Sequence, residues 1–391
     1  MQPYSGRLSW SLLPNPLSNL LEKQRRLGIS LLDLTISNPT EAFPHYPHGR
    51  MAQAYAGIKD FTYQPDPFGH EQARTIIAAW YRHRGIDISP NQLALTASTS
   101  EAYSLLFKLL CDPGDEILIP IPSYPLFEYL ARLEGVKTVP YRLLYDGSWF
   151  LDFASMRAAI STRTKAIVIV NPNNPTGSFL KIQECATLLE IANRHGLPVI
   201  SDEVFMDYAF HHPSDHFART LIGRDGTLSF SLNGLSKAAG MPQVKLGWIA
   251  INGPAAARAE ARARLELILD TYLSVGTPVQ SALGSLLETG AEIQRQIAAR
   301  IAQNRTTLAA ALQGSPVHIL HAEGGWSSIL QLPNICKEEI WAARLLSEQQ
   351  VLVQPGYFFD MAAEAYIIVS LITTPDVFAE GIKRLRLLAE C

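Results

Sequence analysis

The run Lys165-Ala-Ile-Val-Ile-Val170 leads directly into Asn171-Pro-Asn-Asn-Pro-Thr-Gly177, and this junction decides the fold. A short, β-branched apolar run reads as a buried strand. Two prolines and a glycine then fix the shape of the turn, so an asparagine amide is presented there with little entropy left to lose. Outward from the junction the same alternation continues. Runs at 116–119 and 136–141 precede it, each parted from the next by a helical stretch, and runs at 198–201, 227–231 and 245–251 follow. That is the texture of βαβ units and predicts an α/β fold around a mainly parallel sheet. Apolar residues recur at helical spacing over 70–84, where Gly85 stops the helix, and a further helix is expected from about Ser100 to before Pro113-Gly114.

Beyond Gly253 the texture changes. A long Ala/Arg/Leu/Glu-rich helix is expected to about Tyr272, then a break at Ser274-Val-Gly-Thr-Pro278, then a second long helix to about Leu312. Residues 315–391 alternate short strands and helices and read as a smaller α+β domain. At the front, a helix over 16–27 ends at Gly28, and a short strand over 31–36 enters Ser37-Asn38-Pro39-Thr40. A chain of 391 residues exceeds one compact core, so two domains are expected.

Three further segments carry chemistry. Thr96-Ala-Ser98-Thr99-Ser100-Glu101-Ala102 sets three hydroxyls at a helix start, where free N–H groups and the helix dipole favour an anion. The same residues also suit an ordinary N-cap, with Ser98 or Ser100 as cap. Ser201-Asp202-Glu203 puts an acid at the carboxyl end of a strand, where open α/β sheets hold their ligands. Ser229-Phe-Ser-Leu-Asn-Gly-Leu-Ser236-Lys237-Ala-Ala-Gly240 presents a lysine between two apolar strands, flanked by serine and glycine. An amine that condenses with an aldehyde needs such a hydroxyl-lined, glycine-permissive approach. A solvated surface lysine is the plainer alternative.

In this order and spacing the segments resemble the class I/II aminotransferase family of pyridoxal-phosphate (PLP) enzymes, which are fold-type-I and aspartate aminotransferase-like. The resemblance implies a large PLP-binding domain over 46–285 and a small domain made from 1–45 and 286–391. It implies Ser98, Thr99 and Ser100 at the cofactor phosphate, with Ser236 or Ser231 supplementing them, Asp202 rather than Glu203 at the pyridine nitrogen, and Asn174 at the 3′-oxygen. Tyr124 matches the aromatic that stacks on the ring, although packing at a helix start would also explain it. Tyr63 matches a tyrosine that reaches the neighbouring subunit's phosphate. Asn38, Asn174 and Trp326 would neighbour the substrate. Lys237 would form the Schiff base and then move the proton, in a ping-pong exchange between an amino acid and a 2-oxo acid. A PLP lyase that eliminates or decarboxylates on the same fold is the alternative.

Four positions depart from the family pattern. Phe205 replaces a tyrosine, removing a hydroxyl from the cofactor's phenolate oxygen and predicting a raised pKa for the Lys237 linkage. Gly234 replaces a serine, and Lys245 an arginine, both usually at the phosphate. Ile368 stands where an arginine usually grips the substrate α-carboxylate. Losing that bidentate contact costs on the order of 3 kcal/mol of binding, so Arg7 or Arg50 is expected to take over, or the substrate to lack that carboxylate.

Composition bounds the partners. Net charge −3 with 18% charged residues gives no footprint for nucleic acid or an anionic membrane. No GxGxxG, GxxxxGK[ST] or HExxH occurs, which removes the basic signal for dinucleotide, P-loop and zincin readings. Cys111, Cys185, Cys336 and Cys391 show no metal spacing and fit a reducing compartment. Met1-Gln-Pro-Tyr-Ser-Gly-Arg7 lacks an apolar run behind it, and no run approaches the length of a bilayer span. A cytoplasmic homodimer without a metal is expected, too short at its front for an added DNA-binding domain.

Overall fold

The computed structural model describes residues 4–210, 216–361 and 365–391, so the first three residues of the N-terminal stretch lie outside it. The helix Pro16–Arg26 starts where Asn15 caps Ser18 N–H, with Pro16 needing no donor. The expected strand over 31–36 shortens to β1 (Leu32–Asp33), after which the side chains of Thr35 and Ser37 become part of a cavity wall.

The large sheet has eight strands: β2 (Leu93–Thr96), β3 (Glu116–Ile121), β4 (Lys137–Tyr145), β5 (Trp149–Leu151), β6 (Thr164–Val170), β7 (Val199–Asp202), β8 (Ser229–Gly234) and β9 (Gly247–Asn252). Their spatial order is β2-β9-β8-β7-β6-β3-β4-β5. The β4/β3/β6/β7/β8 block is parallel, while β9 runs against both β8 and β2, and β5 folds back on β4. Strand β2 is a four-residue element that the sequence reading did not find. Conversely, β9 begins at Gly247 rather than at 245, because Lys245 sits in the left-handed region with φ of 59°. Every strand of the parallel block that carries a site residue does so at or just beyond its carboxyl end, which gathers them along one edge. Helices cover both faces. Buried Leu105, Leu106, Leu265 and Leu269 pack on one side, with Cys185, Leu188 and Ile191 on the other.

The expected helices at 255–272 and beyond appear as Ala255–Tyr272, Thr277–Ser281 and the thirty-residue Leu283–Leu312. Past it come β10 (His318–Ile319), β11 (Ser327–Gln331), β12 (Val351–Leu352), β13 (Gln354–Pro355) and β14 (Tyr366–Ser370). Strands β10, β11, β14 and β13 form an antiparallel sheet. The two chain ends meet there: β1 pairs in parallel with β12, Leu32 opposite Val351, and Ser370 N–H donates to Leu34 O at 2.7 Å. Leu34, Leu371, Ile372, Phe378 and Ile382 then share one buried cluster with Trp248 and Leu283.

Candidate active site

A cavity of about 260 Å³ lies between the edge of the large sheet and the four-stranded β10-β11-β14-β13 sheet. Its walls take Ser98, Thr99 and Ser100 from the turn after β2, Tyr124 from beyond β3, and Asn174 from beyond β6. Asp202 ends β7, Gly234 ends β8, and Ser236 and Lys237 follow it.

Ser98 is extended and caps the helix Thr99–Leu110, its Oγ accepting Glu101 N–H at 3.1 Å. The cap and anion readings therefore combine. The cap fixes the helix start, and the first-turn amides of Thr99 and Ser100 have no intrahelical acceptor. Glu101 turns back to accept Ala97 N–H at 2.6 Å and the Ser274 hydroxyl at 2.8 Å. Gly234 explains one departure. A Cβ there would lie 3.0 Å from both Gly247 Cα and Leu246 O, so β8 and β9 approach too closely for a serine without displacement.

Asp202 and Glu203 differ in where their side chains go. Asp202 lines the cavity, with Oδ1 accepting Val204 N–H at 3.2 Å and Oδ2 accepting the Tyr103 hydroxyl at 3.1 Å. Burial pushes its carboxyl up to about 6, against those two hydrogen bonds and the nearby Lys237 amine. Glu203 points away from the cavity and is saturated by Ser201, Ser231, Thr220 and Leu221 N–H at 2.7–3.0 Å. It is a buried polar anchor between β7, β8 and the 220 turn.

Lys237 lies in the short helix Leu235–Ala238, its backbone carbonyl held by the Tyr208 hydroxyl at 2.6 Å. Burial drives the amine down to about 8, with the Asp202 carboxylate opposing. Its Nζ lies 4.6 Å from the Trp326 ring centre and 5.5 Å from that of Phe205. Trp326, Phe205 and Tyr208 meet edge to face, so the lysine enters through an aromatic corner. Tyr124 is 42% exposed on the cavity wall and so is not a core aromatic. Asn174 is held by Ser327 Oγ, which donates to its Oδ1 at 3.4 Å. The turn behind it is locked where Gly177, at φ 68°, crosses Gly324. A Cβ at 177 would meet Gly324 O at 2.3 Å.

Three expected residues are not in the wall. Asn38 spends its amide on local structure, accepting from Thr40 N–H and donating to Glu41, so the neighbouring Thr35 and Ser37 face the cavity instead. Lys245 is exposed at a left-handed turn, and Leu246 beside it supplies the wall. Tyr63 is 71% exposed and borders a separate cleft with Ser274 and Thr277. Neither proposed replacement cation arrives. Arg7 donates to Leu133 O at 2.8 Å, and Arg50 is exposed on the helix His48–Ala56. Ile368 is buried in the apolar cluster with Leu118, Ile329 and Phe359. Sequence reasoning missed Thr35, Ser37, Ser327, Gln354 and Ser370, which complete the wall. The period-two spacing of Thr35 and Ser37 was an available signal. Pairing of Ser327 with Ser370 was not, because it needs the β11/β14 register.

The sequence pattern of the aminotransferase class I and II family matches residues 30–385. The chain belongs to that family. The glutamate-pyruvate aminotransferase AlaA of Haemophilus influenzae is 31% identical over 265 residues, 66% of this chain. The match spans 64% of that relative's own length. The aspartate/prephenate aminotransferase of Thermus thermophilus is 25% identical over 92% of this chain and 91% of its own. The solved alanine aminotransferase of Pyrococcus furiosus superposes with a TM-score of 0.88 at 26% identity, covering 99% of both chains. This class I/II member thus has the fold-type-I architecture expected from its sequence. Among its described residues no helix is long and apolar enough to cross a membrane, and no group of three or more His, Cys, Asp or Glu could hold a metal.

Proposed function

We propose that the chain is a cytoplasmic, homodimeric, PLP-dependent aminotransferase that moves an amino group between an amino acid and a 2-oxo acid. One observation carries the reading: an amine lowered to about 8 and a buried carboxylate share a cavity with the open start of a helix. The donors fit the cofactor. Thr99 and Ser100 amides with Ser98 and Ser236 hydroxyls suit its phosphate, Asp202 its ring nitrogen, Asn174 its ring oxygen and Tyr124 its face. PLP, when bound, supplies an aldehyde for the amine and a ring that withdraws electrons. The chain's own part is to keep Lys237 neutral enough to attack and then to accept the substrate's α-proton, while Asp202 keeps a compensating charge buried. A lyase reading is not favoured, since the named relatives are aminotransferases.

Borohydride reduction of protein saturated with PLP, followed by peptide mapping, is expected to fix the adduct at Lys237. Incubation with L-alanine and 2-oxoglutarate is expected to yield glutamate and pyruvate without free ammonia. An unlabelled Lys237 peptide would end the reading, and ammonia release in place of glutamate would favour the lyase.

A further inference from the structure

The far end of the cavity lacks the family's arginine, and its polar groups divide sharply by what they still offer. Ser370 Oγ donates to Ile36 O at 2.5 Å and Thr35 Oγ1 donates to Asp33 Oδ1 at 2.6 Å. Ser327 Oγ donates to Asn174 Oδ1 at 3.4 Å. A hydroxyl has one proton to give, so these three present only acceptor lone pairs to a ligand. The remaining donors are few. Trp326 lines the cavity, but its indole Nε1 is buried without a hydrogen-bond partner among the described residues and is not open to a ligand. Asn174 keeps Nδ2 free while its Oδ1 is held. Gln354 lines the cavity with no side-chain partner among the described residues. Apart from Lys237, no Lys or Arg lines this cavity among the described residues.

Gln354 also has a telling address. On β13 it pairs directly with Ile368 of β14, the position the arginine would occupy. We propose that Gln354 is the specificity-determining residue of this site, holding the substrate carboxylate through its neutral side-chain amide in place of an arginine. The proposal rests on the aminotransferase reading. A neutral amide binds a carboxylate through one or two N–H groups and does not repay its desolvation as a guanidinium does. Such a site discriminates weakly between an α-amino acid and its uncharged α-amide, because Gln354 can also accept from the amide N–H through Oε1.

The test compares kcat/KM for L-alanine and L-alaninamide as amino donors to 2-oxoglutarate, the latter leaving as 2-oxopropanamide. The wild-type ratio is expected to stay within about tenfold of unity. Gln354→Glu, near-isosteric, puts a carboxylate against the carboxylate and is expected to lower the alanine-to-alaninamide ratio at least tenfold, chiefly through KM. Gln354→Lys supplies a cation and is expected to raise it by a similar factor. If Gln354→Glu is inactive on both donors, the lysine variant alone decides. An active enzyme whose ratio is unmoved by both substitutions, or moved the other way, overturns the proposal. No transfer from any donor by the wild type would instead overturn the aminotransferase reading.

Discussion

Burial raises the Asp202 carboxyl from an ordinary 3.8 to about 6, against the Val204 N–H, the Tyr103 hydroxyl and Lys237, and this fixes a pH dependence for the cofactor-free protein. Below the ordinary value both folded and unfolded chains carry the proton, and nothing is lost. Between the two values the unfolded chain has already released it, so stability from this group falls as pH rises. Above about 6 the folded chain carries the buried anion and the cost is complete. The unfolding free energy of Asp202→Asn relative to wild type is therefore expected to grow from pH 4 to pH 6 and then level, as read by urea titration without cofactor. The same variant is expected to lose activity by several orders of magnitude, since no charge is left for the cofactor's ring. Lys237 has the opposite sense. Its amine, lowered from 10.5 to about 8 chiefly by burial, reacts only when neutral, so the rate of cofactor capture should climb to about pH 8 and flatten above it. Phe205→Tyr returns a hydroxyl to the aromatic corner around Lys237. It should lower the pH at which the visible band of the reconstituted protein shifts by about one unit, the worth of one hydrogen bond to a charged group. These side chains were legible in the sequence because each sits beside a local signal: Asp202 at a strand end, Lys237 after Gly234-Leu-Ser236, Asn174 between two prolines. Gln354 and Ser370 were not, because nothing near them in the chain marks a site until β13 and β14 pair.

Elements position these groups by close crossings more than by helix or strand strength. The Asn171–Gly177 turn rests on the Gly324-Gly325 turn, with Glu323 N–H donating to Gly177 O at 3.1 Å and Gly325 N–H to Tyr208 O at 2.9 Å. One crossing thus orients Asn174, Trp326 and Tyr208 together. Gly177→Ala combines a φ of 68° with a Cβ placed 2.3 Å from a backbone oxygen that cannot swing away. We expect a loss of at least about 2 kcal/mol in stability. The cost in kcat/KM should exceed that of Gly314→Ala, which has the same strained φ but open space and no route to the site. Thermal unfolding and steady-state rates of the two variants separate strain from displacement. Most of the element order was readable, because long periodic helices such as Ala255–Tyr272 and β-branched runs such as β6 declare themselves. Strand β2 was not, since Leu93-Ala-Leu-Thr96 follows the Pro90 turn and is too short to show a period. The left-handed turn at Lys245, which keeps that side chain out of the cavity, carries no glycine to announce it.

At the scale of the molecule, two separate segments carry exposed large apolar side chains. Phe61 is 64% exposed and Tyr63 71%, while Leu12 and Leu13 of the N-terminal arm are 92% and 83% exposed. In the homodimer proposed above, these side chains would be candidates for burial against the partner. Tyr63 borders a cleft distinct from the one holding Lys237, so within one chain it serves no cofactor. If the neighbouring subunit's cofactor is what it reaches, complementation should reveal it. Lys237→Ala and Tyr63→Ala homodimers would each be defective at both sites. A hybrid of the two would hold one site in which the tyrosine variant's Lys237 meets the lysine variant's Tyr63, both intact. Unfolding and co-refolding an equimolar mixture is therefore expected to yield activity above the sum of the parents, and sedimentation should give twice the chain mass. Were Tyr63 to act within its own chain, that hybrid would contain one site lacking the lysine and another lacking the tyrosine, and mixing would restore nothing.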